Sequence, residues 1–169
     1  MKINYSAIDV ANYIVWFVGK ESLGDITPLK LQKILYYIVA YYYKDKNLRL
    51  FSEDIEKWKY GPVVPSVYHG FKSKGIEPIL SPLVTLEEDT NSILGYKRQP
   101  FDEGKFITNN TFTEIANPII KDLISKDAFK LVEITHKEHA WKRLEPQILQ
   151  GFQNYTYSDA ELNKANFDI

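Results

Sequence analysis

Leu31, Ile34, Leu35, Ile38, Val39 and Tyr42 recur at i, i+3, i+4, i+7, i+8 and i+11. That spacing predicts a helix with one continuous apolar stripe. Thr27 is its N-cap, and Pro28 suits the first helical position, where the missing N–H costs nothing. The helix is expected to end between Lys44 and Asn47. Leu31, Ile34, Leu35 and Ile38 are expected in the core, with Gln32, Lys33 and Tyr36 at least partly accessible on other faces. Tyr37 and Tyr41 are four apart and share a face. They either bury their rings or belong to a partner surface.

The same periodicity predicts an earlier helix over Ala7 to Val18, with Ile8, Ala11, Ile14, Val15 and Val18 inward and Ser6 as its cap. Glu53 to Tyr60 alternates instead and reads as an extended arm, with Glu56, Trp58 and Tyr60 on one side and Ile55, Lys57 and Lys59 on the other. Gly61-Pro62 closes the arm, and Val63-Val64 is expected to anchor the turn in the core. A short helix over Ser66 to Lys74 stops at Gly75.

Between 76 and 111, Pro78, Pro82, Pro100, Gly95 and Gly104 forbid a long helix. Leu83–Leu86 and Phe106–Thr108 are expected to be short strands, forming a hairpin within 83–108. Helical patterning then returns. Asn117 is expected to cap a helix opening at Pro118 and running to Lys126, and Asp127 to cap one from Ala128 to His136. A short helix spans Ala140–Leu144, and the Ser158–Glu161 capping box opens a last one. The expected fold is mainly α: a single compact helical domain over 1–169 with a small β hairpin or strand element.

Composition narrows the function classes. With no Cys among 169 residues, a Cys nucleophile and a Cys-held iron–sulfur or zinc site are excluded. The apolar run from Tyr13 to Val18 is too short to span a bilayer, so a cytoplasmic protein without membrane attachment is expected. Residues 1–80 hold 11 Lys/Arg and 8 Asp/Glu, and residues 81–169 hold 10 and 14. Neither half is a concentrated basic face, which argues against nucleic acid as a partner.

No nucleophile elbow, phosphate loop or dinucleotide fingerprint is present. His136, His139 and Glu133 would share one helix face, a donor set that suits a metal. The competing reading has His136 ordering a helix junction, with Trp141 packed beside it. The expectation is no metal, no cofactor and no enzymatic activity.

Leu31-Gln32-Lys33, Tyr36-Tyr37, Trp58, Tyr60-Gly61-Pro62-Val63, Tyr68, and Thr135-His136 with Trp141 together carry a resemblance. The chain resembles the Panacea domain of the SocA-like, phage-associated antitoxin family over about Ser6 to Leu144. Ala140 departs from the pattern, which would place a proline before the tryptophan. The resemblance implies an antitoxin that neutralises a cognate toxin by direct binding. In at least one branch it implies a proteolytic adaptor that hands the toxin to a Clp-type protease. It places partner contacts on Gln32, Lys33, Tyr36, Trp58, Tyr60 and Gly61, and on Pro62, Val63, Tyr68, His136 and Trp141. The chain is similar to the core domain alone, so no appended DNA-binding module is expected, which makes a nucleic-acid-binding regulator the less expected alternative.

Overall fold

The computed structural model describes residues 5–168. Helix α1 spans Ala7–Lys20 and opens on a reciprocal capping box: Asp9 N–H donates to Ser6 Oγ (3.0 Å) and Ser6 N–H to Asp9 Oδ2 (3.2 Å). Helix α2, Pro28–Lys46, starts at the Thr27 cap and ends where Asn47 turns left-handed at φ 52°. Strands β1 (Glu56–Trp58) and β2 (Gly61–Val63) form an antiparallel pair that leads into α3 (Pro65–Phe71) and a 3-10 turn (Lys72–Lys74). A second pair follows, β3 (Thr85–Glu88) with β4 (Tyr96–Gln99). The remaining helices are α4 (Gly104–Ile107), α5 (Asn110–Ile124), α6 (Ala128–Lys137), α7 (His139–Lys142), α8 (Glu145–Leu149) and α9 (Asp159–Lys164). The mainly α expectation holds.

Helix α2 is the axis of the molecule. It packs against α1, α3, α5, α6, α9 and β2. Every residue from Leu31 to Ala40 is buried, including Gln32, Lys33 and Tyr36. This corrects the expectation that those three are accessible. The apolar stripe marks one face of α2, but a shell of helices covers the others too. Gln32, Lys33 and Tyr36 are tolerated there because each finds a hydrogen-bond partner, whereas the buried Tyr37 hydroxyl has none among the described residues. Tyr37 and Tyr41 pack edge-on and stacked against Phe167 (5.3 and 4.8 Å between centroids), so their rings serve packing.

Two further expectations are corrected. Helix α5 begins at Asn110, capped by Asn109, and runs through Pro118. Its apolar face of Phe112, Ala116, Ile119, Ile120 and Leu123 is continuous across the proline, and burial against α2 offsets the lost hydrogen bond. Asn117 is therefore no cap; its Oδ1 accepts from the Tyr13 hydroxyl (2.7 Å). Phe106–Thr108 is not a strand either. Phe106 lies in α4, fully buried and stacked on Tyr5 at 4.3 Å, and β4 forms at Tyr96–Gln99 instead.

Candidate functional site

The β1–β2 hairpin turn sits directly over α2 and α6, and buried side chains hold it from below. Gln32 Oε1 accepts the Val64 N–H (2.9 Å) and its Nε2 donates to the Val64 carbonyl (3.3 Å). One step along, Lys33 Nζ donates to the Pro62 carbonyl (2.9 Å). Lys33 is wholly buried, with no carboxylate partner among the described residues, and desolvation lowers its pKa to about 7. Gly61 adopts φ +92°, and a Cβ there would lie 2.5 Å from Thr135 Oγ1 and 3.2 Å from Lys33 Cε. Only glycine meets both demands. Val63 and Val64 are buried, as expected for an anchored turn.

The C-terminal motif supports the same hairpin. Trp141 is buried and its Nε1–H donates to the Trp58 carbonyl (2.8 Å). His136 lies flat on Trp141, with centroids 3.6 Å apart and planes within 8°. Burial lowers the His136 pKa, opposed by the Lys59 backbone. This is the junction reading of His136. No group of three or more His, Asp or Glu suited to a metal occurs among the described residues. Ala140 is tolerated where a proline was expected, because Glu138 alone carries the extended break between α6 and α7.

Tyr36 reaches in the opposite direction. Its hydroxyl donates to Glu138 Oε1 (2.9 Å), and Glu138 Oε2 accepts the Asn166 N–H (2.8 Å). Burial pushes the Glu138 carboxyl up to about 7, against the pull of the Asn166 and Tyr36 hydrogen bonds and of Lys44.

Both hairpin edges are closed. Lys57 N–H donates to the Tyr155 carbonyl and Tyr157 N–H to the Ile55 carbonyl (2.8 Å each), which covers the outer edge of β1. Beyond β2, Lys33 and Gln32 take the Pro62 and Val64 groups.

What this base presents is aromatic. Trp58 is half-buried, donates Nε1–H to Glu56 Oε2 (2.6 Å) and meets Tyr68 edge-on at 5.0 Å. Tyr60 and Tyr68 are 48% and 40% exposed. Phe129 stands edge-on to Tyr60 at 6.2 Å. Together with the first turn of α2, α3 and Ile76, these residues line a groove of about 500 Å³ whose floor is Leu31, Val63, Val67 and Phe71.

The expected contact residues thus divide into two sets. Trp58, Tyr60 and Tyr68 reach the surface, whereas Gln32, Lys33, Val63 and Trp141 lie beneath it and position it, and Tyr36 is buried away from it against Glu138. Phe129 and Ile76 were missed. Phe129 stands off the α6 apolar stripe right after its cap, and that misplaced ring was the available signal. Ile76, 90% exposed in a loop, gave none.

A family model described as "Antitoxin SocA-like, Panacea domain" matches residues 31–142, and the chain belongs to that family. It is 39% identical over 56 residues to the Antitoxin SocA of Caulobacter vibrioides (strain NA1000 / CB15N). That stretch is 33% of this chain and 30% of the relative, so under a third of the relative's own length is matched. No solved structure matches the chain. No helix among the described residues is long and apolar enough to cross a membrane.

Proposed function

We propose that this chain is the antitoxin of a toxin–antitoxin pair and neutralises a cognate toxin by direct binding, without catalysis. The contact face is Trp58, Tyr60 and Tyr68, joined by Phe129. One observation carries the reading: exposed Tyr60, Tyr68 and Phe129 and half-buried Trp58 gather about a hairpin clamped from below by Gln32, Lys33 and Trp141. Binding hot spots favour large aromatic side chains at rigid, desolvated centres, because little entropy is lost when they dock. Membership of the antitoxin family supports the same reading.

The test is co-expression with the product of the adjacent open reading frame. This chain is expected to rescue growth and to co-purify with that product. Trp58→Ala and Tyr68→Ala are each expected to weaken the complex by about 2 kcal/mol or more, with circular dichroism unchanged. Rescue without co-purification would replace direct binding with a degradative or transcriptional route. A neighbour harmless on its own would remove the antitoxin reading.

A further inference from the structure

The groove beside the aromatic face has a chemistry that selects among partners. We infer that it takes an amphipathic helix of the partner, whose apolar stripe is flanked by acidic residues. This inference rests on the antitoxin reading.

The backbone excludes a partner strand. Strand addition needs an open edge of unpaired N–H and C=O groups. Residues 155–157 cover one edge of the hairpin, while Gln32 and Lys33 occupy the polar groups beyond the other. Pro62 lacks an N–H altogether. Recognition must come from side chains entering the groove.

A proline-rich ligand fits poorly for a separate reason. Aromatic-lined grooves of that type need a polar group free to hydrogen-bond the ligand backbone. Here the Trp58 indole N–H is taken by Glu56, and the polar groups left at the rim are the Tyr60 and Tyr68 hydroxyls and the Lys59 ammonium rather than an indole N–H. The groove instead offers a deep apolar floor of Leu31, Val63, Val67 and Phe71 between exposed Tyr68 and Phe129. Anchors at i, i+3, i+4 and i+7 of a helix suit such a floor.

Charge sets the flanks. Lys59 is the one charged residue lining the groove. Lys72 and Lys74 are exposed on the 3-10 turn between Phe71 and Gly75, which also line it. Among the described residues none of these three lysines is ion-paired. Lys130, next to Phe129, is already paired with Glu133 (3.3 Å), and Glu77 is the acidic residue following Ile76. Three lysines outside any ion pair, against Glu77 and the Glu56 carboxylate bonded to Trp58, leave the rim net positive and complement an acidic partner.

The probe is a labelled peptide of roughly 14 residues, about four helical turns, with Leu at the four anchor positions and Glu flanking them. Its counterpart carries Lys in place of Glu, and a third peptide is proline-rich. Anisotropy is measured with the full chain at low salt. The acidic helix is expected to bind at least about tenfold tighter than the other two peptides. Tyr68→Ala and Phe129→Ala, both surface changes, are each expected to weaken it about fivefold or more. A triple Lys59→Glu, Lys72→Glu, Lys74→Glu variant is expected to reverse the preference between acidic and basic helices. Equal affinity for those two helices, tighter proline-rich binding, or indifference to Tyr68→Ala and Phe129→Ala would overturn the inference. If the triple variant neutralises toxin like wild type while Trp58→Ala does not, the inference fails and the antitoxin reading stands. If the acidic helix binds selectively but no neutralisation occurs, the groove chemistry stands and the antitoxin reading fails.

Discussion

Gly61 concentrates the logic of the site in one residue. Its φ of +92° strains any L side chain, and Thr135 and Lys33 fill the space a Cβ would need. Gly61→Ala is expected to destabilise the protein by about 2–4 kcal/mol through strain and overpacking. Gly19→Ala, where a Cβ meets nothing within 4 Å, is the control and is expected to stay within about 0.5 kcal/mol of wild type or to stabilise it. Urea unfolding of both variants measures this, and equal stabilities would refute the account. The turn itself was legible in Gly61-Pro62, because turn chemistry is local. The burial of Lys33 beneath it was not. A lysine side chain normally stays exposed, and only a carbonyl 29 residues away makes its burial acceptable.

Elements were legible where their signals were local. The Ser6, Thr27, Asp127 and Ser158 caps each fall where the sequence put them, since each is a short-range hydrogen bond. Pairing was harder. Phe106 resembles a strand residue in isolation, but the aromatic cluster of Tyr5, Tyr13 and Phe112 draws it into a short helix. The β3–β4 hairpin is held chiefly by its own register, Thr85↔Gln99 to Glu88↔Tyr96. It bears exposed Leu86 and Tyr96 and carries Ile93 and Leu94 outward at its tip. The anchor lies before it, where Asn12 exchanges two hydrogen bonds with the Leu83 backbone (3.0 and 2.7 Å). Replacing Thr85–Gln99 with a short Gly-Ser link is therefore expected to shift Tm by less than about 3 °C. A fall of about 10 °C or more in a thermal melt would show that the hairpin holds the fold together.

At the scale of the molecule, α2 carries two buried ionisable contacts at different depths along its length, and they respond oppositely to pH. Glu138, bonded to Tyr36, has a folded pKa raised to about 7, well above an ordinary carboxyl. Below the unfolded value its proton costs nothing. Between about 4.5 and 7 the unfolded chain ionises while the folded one resists, so stability is lost as pH rises through that window. Lys33 has a folded pKa lowered to about 7. Between 7 and about 10.5 the unfolded chain holds a proton that the folded one lacks, so stability is gained as pH rises through that window. Each contribution is isolated by subtracting a variant's curve from that of wild type. Glu138→Gln keeps both hydrogen bonds, since the amide oxygen can accept from Asn166 N–H and the amide nitrogen can donate to the Tyr36 oxygen. It is expected to gain about 2–3 kcal/mol relative to wild type between pH 4.5 and pH 8. Lys33→Met loses the bond to Pro62, which costs about 1–3 kcal/mol at every pH. Measured against wild type, it is expected to stand equally at pH 4.5 and pH 6, where it looks best, and to worsen steadily from pH 7 toward pH 10. Urea unfolding at pH 4.5, 6, 8 and 10 reads both curves. A difference curve flat across its window would mean that the group concerned keeps its ordinary charge state inside the fold. In that case the clamp around α2 would have to be open to water.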